Sequence, residues 1–492
     1  MTDDQAAPLQ PRAGSVNPNA LVVVLAFSGI AVSLMQTLVI PLIAELPRLL
    51  GASIADTSWV ITATLLASAV SIPIAGRLGD MYGKRHLLLV SLGLLVVGSV
   101  VCGLSDSLVP MILGRVLQGM AAGVIPLGIS LMRDQLPAER LGSATALMSA
   151  SLGVGGALGL PAAAILAEST DWHVLFWTSA ALGVVAVGLV LRFVLPSAEP
   201  PGGRFDLVGA AGLSTVLVCV LLAISKGADW GWTSWITGGL FLGAIGVALL
   251  WGWWELRVEQ PLVDLRTTAR HQVLLTNLAS IAFGFAMFAM SLVVPQVVQL
   301  PVASGHGFGQ SMVVVGLVMA PSGLVMMAMA PVSARISRKR GPKATLMLGA
   351  VVVAVGYGLG IVLMSALWQL VLVTAVIGCG IGLAYGAMPT LVMASVPVSE
   401  TAAANSLNTL MRSIGTSTAS ALSGAILAQL TMRLGTTTIP SAAGFRTVLA
   451  VAVGAALIAL LLAALLRGGR PQPTSLDIPA RRSVAADRAG RD

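Results

Sequence analysis

Apolar residues run along this chain in blocks of about 20 or more, the length a helix needs to cross the hydrocarbon core of a bilayer. In chain order the blocks lie near 20–44, 57–76, 86–105, 108–132, 142–166 and 174–195. Two more follow near 207–225 and 235–254, then six near 274–300, 311–333, 344–366, 368–394, 402–430 and 445–467. The pattern predicts fourteen spanning helices in an all-α polytopic membrane protein. The polar segments 1–19 and 468–492 are expected to be disordered. The first has acids at Asp3 and Asp4 and only Arg12 as a base, unlike a signal peptide, so the first apolar run should remain as an anchor.

Composition agrees with the pattern. The 492 residues are 56% hydrophobic and 10% charged, against roughly a quarter charged in soluble domains. The net charge of +8 could suit nucleic acid, but the bases sit between apolar runs and are explained by topology. The expected partner is the bilayer, with no nucleic acid. Even-numbered connections hold Arg77, Lys84, Arg85, Arg133, Arg140, Arg192, Arg204, Arg257, Arg266, Arg270, Arg335, Arg338, Lys339, Arg340 and Lys343, while odd-numbered ones and adjoining helix ends hold Arg48, Lys226, Arg433 and Arg446. That asymmetry predicts cytoplasmic termini in the plasma membrane. Trp230, Trp232 and Trp235 at one end of the eighth run, with Trp251, Trp253 and Trp254 at the other, suit the two membrane interfaces.

The chain also repeats itself. PIAGRLGDMYGKR (73–85) aligns without gaps on PVSARISRKRGPK (331–343), matching Pro73 with Pro331, Arg77 with Arg335, Gly83 with Gly341 and Arg85 with Lys343. Asp80 is matched by Arg338. A weaker echo sets Ser151-Leu152-Gly153 over Ser413-Ile414-Gly415. Parallel repeats of this kind build transporters from two like halves. The repeat supports two like halves, and the family resemblance carried by the motifs that follow implies six-helix bundles over 20–195 and 273–467, with a linker at 196–272 carrying the two extra helices.

The segment Gly76 to Arg85 reads as a short charged loop with an acid at its middle and glycines that permit a tight turn. It resembles the signature loop of the major facilitator superfamily, Gly-x-x-x-Asp-x-x-Gly-(Arg/Lys)-(Arg/Lys), at every fixed position. The fourteen helices resemble the drug:proton antiporter branch. Arg115, Gln118 and Gly119 match that branch's fourth-helix motif, and Gly153, Gly155, Gly156, Gly159 and Pro161 are similar to its glycine-rich fifth-helix motif. The usual Gly-Pro pair is Gly156-Ala157 here, with the proline displaced to Pro161. The insertion from Phe205-Asp206 to Pro261-Leu262-Val263-Asp264 also looks like this branch. The resemblance implies that Gly76, Arg77, Asp80, Gly83 and Arg85 gate the cytoplasmic side, with Asp80 meeting the N-terminus of helix thirteen near Thr401. A solvated loop charge is the alternative reading of Asp80.

Candidate chemistry is conformational. No Gly-x-x-x-x-Gly-Lys-(Ser/Thr) phosphate loop occurs, so energy should come from an ion gradient or the substrate's own. Cys102, Cys219 and Cys379 fall in apolar runs without metal or disulfide spacing, and His86, His173, His271 and His306 lie in loops or at helix ends. No cofactor, metal site or enzymatic activity is expected. Arg115 and Arg412 fall inside spans, where a charge is costly unless it faces a cavity or a partner. Gln36, Asn277, Gln296, Asn405, Asn408 and Arg412 are the expected cavity lining. Asn405, Asn408 and Arg412 share one helical face, which looks either into the cavity or onto a neighbouring helix. For Arg412 a structural bond to nearby carbonyls is equally open. Met319, Met326, Met327 and Met329 read mainly as packing.

The antiporter branch usually carries an acid in helix one, where Met35-Gln36-Thr37 stands here, and no acid is mid-span. Glu45, Asp56 and Asp134 are the remaining candidate proton carriers. Arginines without a central acid favour a neutral or anionic amphiphile over a cationic drug. The expected function is export of hydrophobic small molecules by alternating access with proton coupling. An uncoupled facilitator, a metabolite importer and a transport-dead scaffold or sensor are the alternatives.

Overall fold

The computed structural model describes residues 17–39, 42, 45–196, 202–434 and 437–467. The expected disorder of the tails lies, for residues 1–16 and 468–492, outside the described residues. Fourteen long helices account for nearly all of the rest. They are α1 Pro18–Leu38, α2 Trp59–Tyr82, α3 Lys84–Gly103, α4 Leu108–Gln135, α5 Ala138–Ser169, α6 Val174–Phe193 and α7 Leu207–Trp230. Then come α8 Trp235–Glu255, α9 His271–Gln299, α10 Met312–Arg340, α11 Pro342–Val362, α12 Leu367–Met393, α13 Thr401–Gln429 and α14 Ala442–Leu465. Helix α4 tightens to a 3-10 turn at Ala121–Gly123. Ends are set by local chemistry: Asn17, Asp206, Ser234 and Ser441 cap α1, α7, α8 and α14 with side-chain oxygens on first-turn N–H groups.

Thirteen of these helices are long and apolar enough to cross a membrane. The fourteenth, α13, has 29 residues but is too polar to pass on hydropathy. Its Asn405, Asn408, Thr409 and Arg412 are buried among other helices, so it needs no apolar surface of its own. The opposite case is α8, where Trp235 is 85% exposed and Leu242 and Leu249 are nearly as open. An apolar helix left this bare has its face in lipid.

The sequence repeat reappears in the packing. Gly83 and Gly341, matched in the alignment, both take positive φ (101° and 85°) and each is the only residue between two helices, α2–α3 and α10–α11. Helix α1 packs along α5 as α9 packs along α13, and α3 along α6 as α11 along α14. One core gathers Leu88, Leu92, Val124, Leu127 and Met148, and a second gathers Phe283, Leu346, Tyr357, Ile377 and Phe445. Between the two sets, α5 lies against α10 and α2 against α13. Helices α7 and α8 pair with each other, and α7 touches α2 and α13.

Three expectations fail on element ends. The charged stretch 76–85 is not a loop: α2 stays helical through Tyr82, with Gly83 N–H bonded to Gly79 O, and only Gly83 leaves helical space. Likewise α10 runs on through Arg338-Lys339-Arg340, past the expected end near 333. Helices need not stop where hydropathy stops when polar side chains find partners at the bundle end. In the other direction α1 ends at Leu38 rather than 44, and short helical turns fill Leu46–Leu49 and Ile54–Thr57. A two-stranded hairpin, β1 Thr431–Leu434 with β2 Thr437–Pro440, joins α13 to α14 and was not foreseen.

Candidate functional site: a clamp between the halves and two buried arginines

Gly76 and Gly79 do not turn the chain; they thin it. A Cβ on Gly76 would lie 2.2 Å from Ser406 Oγ and 2.8 Å from Ala402 O, and one on Gly79 2.4 Å from a Leu127 methyl. Without side chains there, α2 slides under the first turn of α13 and carries Asp80 to its N-terminus. Asp80 Oδ1 accepts the Ala402 N–H at 3.3 Å and Oδ2 the Ala403 N–H at 2.9 Å. Those N–H groups have no partner within the helix, and the dipole adds attraction for the carboxylate. Asp80 is 6% exposed, so water does not compete for it.

One turn on, Lys84 is shared. Its Nζ lies 3.7 Å from Asp80 and 2.8 Å from Asp134 at the end of α4. The residue before Asp134, Arg133, donates to Thr401 Oγ1 and Val396 O across the same divide. Arg338 on α10 donates to Glu139 O on α5 across it as well, whereas Arg270 donates to Ser395 O on its own side. The basic end of the bundle is therefore tied across by several bonds, with Asp80 the buried one. Sequence reasoning missed Lys84 and Arg133; the acid-base neighbours Arg133-Asp134 at a span end were the available signal. The other expected gate residues do different things. Arg85 donates to Leu191 O on α6, and Arg77 lines a cavity of about 360 Å³ together with Asp80, Glu259 and Glu400.

The two buried arginines differ in how they are satisfied. Arg115, 2% exposed, donates to Gln118 Oε1 at 2.8 Å, to Val60 O at 3.3 Å and to Met35 O at 3.4 Å. Gln118 passes the network on to Ser99 and Ser179. Gly119 lets α4 meet α2, since a Cβ would stand 2.5 Å from Thr64 O. This motif is a polar weld among α1, α2, α3 and α4. Arg412, 4% exposed, donates only from Nη2 to Thr409 Oγ1 at 2.9 Å, and its Nη1 has no partner among the described residues. Its guanidinium lies 4.8 Å from the centroid of the Tyr385 ring, a cation–π contact.

The expected cavity lining separates. Asn408 Nδ2 donates to Asn277 Oδ1 at 3.0 Å and Ser280 Oγ at 2.7 Å. This pair therefore ties α13 to α9, with Asn277 Nδ2 left without a partner among the described residues. Asn405 donates to Thr401 O of its own helix, next to the clamp. Gln36 on α1 and Gln296 on α9 are half-buried. The fifth-helix glycines are a two-sided seam. Gly155 and Gly159 admit Ser33 and Thr37 of α1, and Gly156 lies near Thr37 as well. Gly153 admits Met326 of α10, and Pro161 fills the space above Gly316. Glu45 makes an exposed pair with Arg48 at 2.8 Å, and Asp56 bonds Ser53 at the same far end. Neither approaches the clamp or the arginines; Asp134 alone of the three is joined to Asp80, through Lys84. Among the described residues no His, Cys, Asp and Glu cluster could hold a metal.

Comparison with known proteins places this arrangement. The chain is 27% identical over 451 residues to an uncharacterized MFS-type transporter of Mycobacterium tuberculosis, covering 88% of this chain and 64% of that protein. It is 29% identical over 380 residues to the multidrug export protein EmrB of Haemophilus influenzae, covering 75% and 73%. The crystal structure of the human organic anion transporter MFSD10 (TETRAN) superposes with a TM-score of 0.64 over 91% of this chain and 99% of that one, at 15% identity, a likeness of fold. A sequence model of the Major Facilitator Superfamily matches residues 25–420 and 279–489. With fourteen long helices, a repeated half and a clamp between the halves, the chain belongs to the Major Facilitator Superfamily.

Proposed function

We propose that this chain is a secondary active transporter of the plasma membrane that exports hydrophobic, neutral or anionic small molecules by alternating access. The basic end and both termini face the cytoplasm, as the distribution of Lys and Arg requires. The halves 20–195 and 273–467 rock about a shared site, and the linker 196–272 carries α7 and α8 beside them. The observation that carries this reading is the Asp80 clamp, in which two backbone N–H groups of α13 donate to one buried carboxylate across the divide. It is strong enough to hold one end shut and small enough to break. The outward direction is supported by the glycine seam of α5 and by the name of the Haemophilus relative, a multidrug export protein. Proton coupling is assigned to Asp134, the candidate carrier joined to Asp80 through Lys84.

A second reading, an uncoupled facilitator, is favoured by one observation: no ion pair among the described residues includes Arg115 or Arg412. Counterflow of a panel of hydrophobic anions and neutral compounds in proteoliposomes, with and without a pH gradient, tests both. Uptake stimulated by the gradient supports the antiporter; uptake that ignores it supports the facilitator. No exchange of any compound overturns transport altogether.

A further inference from the structure

A guanidinium in the middle of a membrane protein needs a counter-charge or a full set of acceptors, and among the described residues Arg412 has neither. It stands eleven residues beyond Thr401 on α13, about 17 Å along the axis at roughly 1.5 Å per residue, which is near half the thickness of a bilayer core. Its backbone is pinned, because a Cβ on Gly284 of α9 would meet Arg412 O at 2.2 Å. Its side chain is braced by Thr409 Oγ1 and the Tyr385 face. Of the five N–H donors of a guanidinium only one is matched by an oxygen, and Nη1 is buried without a partner. Arg115 shows what a purely structural arginine does in the same bundle: it collects two backbone carbonyls and a glutamine oxygen. One turn below Arg412, on the same face, Asn408 holds Asn277 by its oxygen, and Asn277 Nδ2 is a second buried donor left unpaired.

Leaving a buried charge uncompensated is expensive, and leaving buried donors unmade adds to it. The chain tolerates both where a ligand supplies the acceptors. We propose that Arg412, braced by Tyr385, is the anchor for the negative group of the transported molecule, and that the substrate class is amphiphilic organic monoanions bearing a carboxylate. A carboxylate matches the planar fork of the guanidinium. One negative charge neutralises the site, two would leave an excess, and a cation would be repelled. Met319, Met326 and Phe283, buried in the same core as Tyr385, offer adaptable apolar surface for the hydrophobic body. The inference rests on the reading of this bundle as a transporter of small molecules, but the site can be tested without transport.

The test uses three probes sharing one ring: naphthaleneacetate, the neutral naphthaleneacetamide and the cation naphthylmethylammonium. Binding to the full chain in nanodiscs of zwitterionic lipid is measured by titration calorimetry. The wild-type protein is expected to bind the anion at least tenfold tighter than the amide or the cation. R412Q should lose that preference while keeping the affinity for the amide, and R412K should retain part of it. The wild-type comparison needs no variant, so a misfolded R412Q leaves the test intact. Equal affinity for the three probes, preference for the cation, or binding of none of them overturns the proposal. If anion binding holds and proteoliposomes move nothing, the transporter reading fails while the site stands. If cations are exported and the anion is not bound, the site fails alone.

Discussion

Replacing Asp80 by Asn isolates the clamp. The substitution keeps size and one acceptor oxygen but removes the charge, and it turns an NH2 group toward one of the two N–H groups of α13. A hydrogen bond to a charged group contributes about 1.5–3 kcal/mol. The helix N-terminus adds about 0.3–1 kcal/mol for an exposed carboxylate and up to about 2 for a partly buried one. Asp80 makes two such bonds, at 3.3 and 2.9 Å, in a buried setting. In an open state water would replace them in both proteins, so only the difference counts. Allowing one bond kept by Asn, the closed end should lose about 2 kcal/mol, a shift of about 30-fold in the closed-to-open ratio. A protein closed at about 99 to 1 would then be closed at about 3 to 1. Spin labels on Y82C and V398C, both exposed at the basic end, report the separation by electron–electron dipolar spectroscopy in a background lacking Cys102, Cys219 and Cys379. D80N should show a second, longer distance in about a quarter of the molecules. An unchanged distribution refutes the reasoning, because the two bonds would then carry no part of closure.

Three further outcomes follow from named contacts. G76L should open the same end and cut transport tenfold or more without unfolding the protein, since the new side chain meets Ser406 Oγ and Ala402 O where α2 and α13 touch; the same spin labels check it. R115Q should lower the melting temperature in detergent sharply, because Val60 O and Met35 O lose their donor at about 1–3 kcal/mol for each group left unpaired. N408A leaves Asn277 Oδ1 and Ser280 Oγ without their shared donor. It should also destabilise, by about 1–3 kcal/mol, while leaving the preference for anionic probes in place; loss of that preference with stability intact would move Asn408 from the seam to the binding site.

Several features were legible in the chain alone because they are one-dimensional. Apolar block length set the number of helices, since lipid leaves a spanning segment no choice but to satisfy its own backbone. Gly83 and Gly341 announced a repeated turn, and both take positive φ. The polar face of α13 was visible as a spacing of three and four residues. What that face touches was not. Asn408 turned out to bond α9 and Arg412 to rest on Tyr385 of α12, because side-chain partners 131 residues away leave no trace in local pattern. The charged stretch after Gly76 was misread as a loop for the same reason: hydropathy ends there, but α13 supplies partners that let α2 continue to Tyr82. Composition and periodicity thus determined the membrane class and the helix count. Only the tertiary structure decided that Arg115 finds three oxygen acceptors while Arg412 finds one and keeps Nη1 without a partner among the described residues, since burial makes a charge costly and only the packed neighbours show whether that cost is met.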